Sequence, residues 1–263
     1  MPRRTIKMPK HVVAELSFQQ KEAIIDYKEK WRSLANEIQT KPIDKDKASN
    51  IIDKLYLSLN LPKPTIIFFS NPHKAIDYFI DDEQFKNTLG KQIDSKIIRH
   101  IYEHNNNFIN RQITDYLHIK LINKILFSNY PQVEQEKLKR YFSYDYAMII
   151  REQLVSDFQK LDKLKPRYSD LAYFTNSIVR PLNMVTDACR LDFCISKLNL
   201  QHDKQKWKLL KDIILHCSLS FTFQNYCLVC ERPKNINLEF ENDFEKAVIE
   251  YADSYSVFLN HEI

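Results

Sequence analysis

Residues 226–233 read YCLVCERP, and the reading of this stretch decides the fold. Cys227 and Cys230 stand in a C-x-x-C spacing, with Cys217 and His216 just upstream. A structural zinc site needs four ligands held tetrahedrally, and its closely spaced pairs sit on a tight turn. Cys217, Cys227, Cys230 and either His216 or His261 would supply the ligands. The turn is the difficulty: Leu228 and Val229 favour extended backbone, and no glycine or proline lies between the two thiols. In a strand, residues three apart face opposite sides, so the pair would not share one ion. A redox pair would place the first cysteine at a helix N-terminus, where its thiol pKa falls. This pair lies inside an apolar run instead. The expected reading is therefore a buried β-strand with cysteines acting as small apolar side chains. No metal is expected, and Cys217, Cys227, Cys230 and His216 are the set that would carry one.

Working outward from that strand, the chain divides into two characters. After Cys217, FTFQNYCLVCERPKNINLEF and KAVIEYADSYSVFLNHEI are rich in β-formers, with turn signals at Arg232–Pro233, Glu241–Asp243 and Asp253–Ser254. They predict three or four short antiparallel strands. Before Cys217, helical spacing dominates. Ser17 followed by Gln20 is a capping box opening a helix with apolar positions 24, 25, 31, 34, 35 and 38. PIDKDKASNIIDKLYLSLN predicts a second helix, closed by LPKP. TIIFF at 65–69 reads as a short, fully apolar strand, and SNPHKAIDYF as a turn into a helix with Pro72 in its first turn. Residues 83–165 read as mostly helical, with breaks near Asn105–Asn107 and at Tyr130–Pro131. Residues 169–199 read as a long helix kinked or split at Pro181, and DKQKWKLLKDIILHC as a last amphipathic helix.

The fold class expected is α+β: a mostly helical body with a C-terminal antiparallel β-meander, which the strand at 65–69 is a candidate to join. Residues 1–14 are expected to be a basic, disordered tail. Residues 15–263 are expected to form one domain, helical over 15–217 and β-rich over 218–263.

Bulk properties narrow the function classes. The chain has 263 residues, 44% of them hydrophobic and 28% charged, ordinary values for a globular protein. No run of about 18 apolar residues occurs, so no membrane span is expected. The basic start lacks the apolar stretch of a secretory signal. Five cysteines in so long a chain point to reduced thiols and a cytoplasmic protein. There is a single glycine, Gly90. A P-loop, a G-x-G-x-x-G fingerprint and a G-x-S-x-G elbow all need several, so each is excluded by count. No cofactor is indicated.

The candidate site residues come from two places where a strand ends. Asn71 and His73 follow the 65–69 strand at a helix start, where main-chain N–H groups point outward. Plain helix capping is the competing reading. Glu231 and Arg232 follow the cysteine strand. Arg232 either grips an anion bidentately or pairs with Glu239 or Asp253 across the meander. His261 near the end completes a polar set for an enzyme. His100 and His104 stand four apart, but lack the glutamate a zinc protease needs, and read as a solvated helix face. The net charge is +5, and Arg3, Arg4, Lys7 and Lys10 carry +4 of it in the first ten residues. That tail, with Lys137, Lys139 and Arg140 beside the aromatics of YFSYDY (141–146), is the route by which nucleic acid would bind.

Three blocks carry a family resemblance: YKEKWRSLANEIQTKPIDKDKASNIIDKLYLSLNLPKPTIIFFSNPHKA (27–75), KDIILHC with FTFQNYCLVCERP (211–217 and 221–233), and AVIEYADSYSVFLNH (247–261). In order and rough spacing they resemble the uncharacterised bacterial domain-of-unknown-function family 6745, over about half the chain. The last block also resembles the short MORN-like β-repeat, in which a strand and an Asp-Gly turn lead into a second, aromatic-rich strand. This chain departs from the pattern at its glycines, with Glu245-Lys246, Asp253-Ser254 and His261-Glu262 in their places. The resemblance implies a scaffold fold and no established activity. The function expected is a non-catalytic binding or interaction module, with a protein as the favoured partner. An enzyme built on the 70–73 turn and the 231–233 strand end is the first alternative. A nucleic-acid-binding protein is the second.

Overall fold

The structure, a computed structural model, describes residues 12–81, 83–127, 176–241 and 244–262. The expected α+β architecture is what it shows. Helix α1 (Phe18–Gln39) opens on the capping box read from sequence: Ser17 Oγ accepts from Gln20 N, and Gln20 Oε1 accepts from Ser17 N. Its Ile24, Trp31, Ala35 and Ile38 are buried. Helix α2 (Lys45–Ser58) is capped by Asp44 and buries Ile51, Ile52, Leu55 and Tyr56. Strand β1 (Thr65–Phe69) follows, then α3 (Pro72–Asp81) and α4 (Glu83–Thr88).

Helix α5 (Asp94–Ile98) runs on through a π-helical turn (Arg99–Glu103) into α6 (His104–Asn110). The break expected near Asn105–Asn107 is therefore absent. Asn105 is buried and its Oδ1 accepts from Asp203 N, so its side-chain oxygen is engaged by a tertiary contact rather than by ending the helix. Helix α7 (Asp115–Phe127) comes next. The expected break at Tyr130–Pro131, the 137–146 stretch and the basic residues of the tail lie outside the described residues.

The long helix expected over 169–199 is corrected. Among the described residues from 176 on, Ile178–Val179 form strand β2, Pro181–Met184 a 3-10 turn, and Val185–Ser196 is α-helix, α8. Pro181 is the first residue of its turn and biases Arg180 before it toward extended backbone, so the chain divides at the proline, with strand before it and helix after it. Helix α9 (Lys204–His216) is capped by Asp203. Strands β3 (Ser220–Thr222), β4 (Tyr226–Cys230), β5 (Asn235–Glu241), β6 (Phe244–Glu250) and β7 (Ser256–Glu262) complete the order.

The strands make two sheets. One has the order β1-β4-β3-β2, with β1 parallel to β4 and the other pairs antiparallel. The other is the expected meander, β5-β6-β7. The 65–69 strand thus joins the YCLVC strand and not the meander. Both faces of the first sheet are covered, which is why β1 and β4 are continuously apolar. Cys227 and Val229 belong to the main core with α1, α2, α8 and α9. Leu228 and Cys230 face the second core, formed with Ala75, Ile76 and Phe79 of α3 and Phe85 of α4. The alternation of strand side chains therefore separates Cys227 from Cys230, as the sequence reading required.

Gly90 has φ +75°, and a Cβ there would lie 2.9 Å from Gln224 Cβ. The chain's one glycine is spent on a left-handed turn pressed against the β3–β4 loop, where Asn225 N donates to Leu89 O. Among the described residues no helix is long and apolar enough to cross a membrane.

Candidate functional site at the strand ends

The register of β1 and β4 pairs Phe69 with Cys230. The two stretches singled out in the sequence, 70–73 and 231–233, thus leave adjacent parallel strands at the same edge. Glu231 N donates to Phe69 O at 2.8 Å and extends the ladder one step beyond the strands. The carboxyl ends of parallel strands are where crevices form in such sheets.

At the first strand end, Asn71 is 1% exposed. Its Oδ1 accepts from Lys74 N at 2.8 Å, which caps α3. Its Nδ2 donates to Asp253 Oδ2 at 2.6 Å, and Ser70 Oγ donates to the same oxygen. The anion at this helix start is therefore the protein's own carboxylate. Partial burial pushes the Asp253 carboxyl up, but hydrogen bonds from Ser70, the Tyr255 main chain and Asn71 outweigh it and leave its pKa below the ordinary value. His73 Nδ1 meets Asp77 Oδ2 at 2.9 Å, one turn on, and its ring lies 5.2 Å from that of Tyr255.

The second strand end is equally occupied. Arg232 is 5% exposed. Its Nη2 donates to Leu215 O at 2.9 Å and Cys217 O at 2.8 Å, and its Nη1 to Lys41 O at 3.4 Å. Leu215 and Cys217 flank the C-terminus of α9, whose last carbonyls lack helical partners and carry partial negative charge. The pairing expected with a carboxylate of the meander is replaced by this helix cap, because Asp253 is held by Ser70 and Asn71. Burial lowers the Arg232 pKa, while Cys217 and Glu231 act in the opposite direction. Glu231 Oε1 accepts from Ile43 N at 2.9 Å and from Arg232 N at 3.1 Å, tying the α1–α2 loop to the strand end.

Beside Arg232 lies an open cleft of about 40 Å³, lined in part by Gln39, Pro181, Leu182, Leu219, Pro233 and Tyr251. Glu231 and Arg232 line it; residues 70–73 do not. What joins the two places is the β6–β7 loop. Tyr251 walls the cleft, Asp253 binds Ser70 and Asn71, and Tyr255 covers His73. Ser254 N donates to Tyr251 O, and Ser254 has φ 69°. The turn is closed by a left-handed residue, as in common three-residue hairpin loops. His261 is not brought in. It pairs with Glu245 on β7, five residues along from Ser256, or about 17 Å at strand rise.

The cysteines offer no nucleophile. All five are free and buried. Burial raises Cys217 to about 12 and Cys194 to about 11, and Cys227 and Cys230 also rise. Among the described residues no group of three or more metal-ligating side chains is gathered. The sequence reading missed Pro181, Leu182 and Tyr251. The only signals for them were a proline at a helix start and an aromatic next to a turn.

No protein-family model, curated protein or solved structure matches the chain.

Proposed function

We propose that this chain is a cytoplasmic, non-catalytic binding module that takes an apolar side chain of a partner protein into the cleft beside Arg232. One observation carries the reading: the cleft walls contributed by Pro181, Leu182, Leu219 and Tyr251 are apolar, while Glu231 and Arg232 at its edge already have internal partners. A guanidinium committed to three carbonyls and a glutamate committed to two N–H groups are poor acids, bases or anion clamps. They are good walls, because they hold the pocket open in one shape. Interface hot spots are anchored in pockets of this kind. The resemblance to family 6745 and its scaffold-like β-repeat supports the same reading.

A photo-reactive amino acid at Asn183, on the cleft wall, tests it. The reading expects one discrete protein adduct in the native cell, lost when Leu182→Trp fills the cleft in a variant that keeps its thermal stability. Hydrolase or transferase turnover abolished by the same Leu182→Trp would replace it with the enzyme reading. Adducts unaffected by Leu182→Trp would also overturn it.

A further inference from the structure

Inside the helical body, four elements converge on one arginine. Arg190 of α8 is 3% exposed. Its Nη1 donates to Asn110 Oδ1 at 3.2 Å and its Nη2 to Asn106 Oδ1, both on α6. Tyr102, on the π-helical turn, lies beside both Asp187 and Arg190, and burial and then Asp187 raise its pKa. Tyr102, Asn106 and Asn110 follow at four-residue spacing, so the turn and α6 present one polar row to α8. His118 of α7 completes the group.

Two features set this cluster apart from an ordinary buried polar contact. No ion pair among the described residues includes Arg190. Neutral oxygens meet its charge directly and Asp187 is reached only through Tyr102, so no carboxylate cancels it by contact, and burying a charge in that state is expensive. In addition, Arg190 Nε and His118 Nδ1 are both buried with no hydrogen-bond partner. Each such group calls for an explanation. The π-helical turn, a rare geometry frequent at functional sites, lies next to them.

We propose that Arg190 Nε and His118 Nδ1 hold a small anion between α6, α7 and α8. One negative charge there would cancel the guanidinium and offer acceptors to the orphaned nitrogens, with His118 carrying its proton on Nδ1. The asparagines act as a fork rest, fixing the Nη pair so that Nε points at the ligand. The two nitrogens are closed off from solvent, which limits the occupant to a halide or a compact carboxylate or oxyanion. Entry requires the helices to part, so exchange is slow. The electrostatics agree. Burial and then the Arg190 charge lower the His118 pKa, against an opposing pull from Asp115. An anion would reverse that repulsion and raise it.

The test uses the full chain, ¹⁵N-labelled and dialysed into buffer whose only anion is bulky gluconate. Chloride, acetate and phosphate are then added at constant ionic strength. The Arg190 Nε–Hε resonance is expected to shift and saturate with at least one of them. The His118 pKa should rise in the saturated state, which a purely structural role would not produce. His118→Gln should weaken the apparent affinity about tenfold, as the loss of a charge-assisted hydrogen bond does. Because those measurements are made first on the unaltered protein, a variant that fails to fold does not blunt them. A resonance that none of the three ions moves, with a cross-peak to water alone, would overturn the proposal: the nitrogens are then bridged by an ordered water.

Discussion

Asn71 and Asp253, far apart in sequence, meet at 2.6 Å, and through them the C-terminal meander is fastened to the helical body. Asn71 is buried and uses its oxygen to cap α3, so only its amide N–H groups face the meander. Asp253→Ala removes their acceptor and leaves a buried donor unsatisfied. The expected loss is about 1–3 kcal/mol in urea unfolding. Asp253→Asn, which keeps the shape, should lose less. The pH dependence has a definite sign. The folded carboxyl has the lower pKa, so its contribution is present above the unfolded value of about 3.9 and fades as the pH falls through the folded one. The stability gap between wild type and Asp253→Asn should therefore be constant from pH 7 to 5 and shrink below 4. A gap that grows on acidification would contradict the assignment.

Arg232 belongs to the frame rather than to the chemistry. Its side chain holds the carbonyls of Lys41, Leu215 and Cys217. Arg232→Ala strips partners from the end of α9 and should destabilise the fold by about 3 kcal/mol. Arg232→Lys keeps the charge but not the fork, and should recover less than half of that. Loss of function in Arg232→Ala would thus report unfolding, and urea midpoints measured beside any binding assay would show it.

Ser254 occupies the left-handed region at φ 69°, where a side chain is strained. Ser254→Gly relieves the strain and loosens the unfolded chain, so the net gain should be about 0.5 kcal/mol. Ser254→Val, β-branched, should cost more than about 1 kcal/mol. The pair of melting temperatures checks both signs. The turn thus holds its left-handed geometry without the residue that suits it best.

Much of this frame is readable locally. The Ser17–Gln20 capping box, the apolar run TIIFF and the two-faced CLVC strand each follow from periodicity or capping chemistry within a few residues. The illegible parts are those fixed by distant partners. Ile178–Val179 becomes a strand only because β3 lies beside it, and its own sequence continues a helical pattern. Asn105–Asn107 looked like a break because asparagine competes with helix hydrogen bonds, yet Asn105 and Asn106 are engaged by Asp203 and Arg190 from elsewhere. The strand ends were found correctly as places, since capping residues and charges after apolar runs mark them. Their partners were not, because nothing near Arg232 reveals that α9 ends against it.

The cysteines give the sharpest check on the strand that opened the reading. Thiolate is the reactive form, and burial holds the Cys217 thiol at about 12. At pH 8 only about one such thiol in ten thousand would be ionised even if reagent reached it. None of the five should react with a disulfide reagent faster than the protein unfolds, and all five should react at once in strong denaturant. A chelator should leave the melting temperature unchanged, because Cys227 and Cys230 lie in different cores on opposite faces of β4. Cys230→Ser would bury a hydroxyl in an apolar site and should lose about 1–3 kcal/mol, while Cys227→Ser, beside the hydroxyls of Tyr56 and Ser220, should lose less. The two losses should add, as they do for side chains with no shared neighbours. A double variant no worse than either single one would mean that the thiols act as a pair, and that the strand reading is wrong at the residues that suggested it.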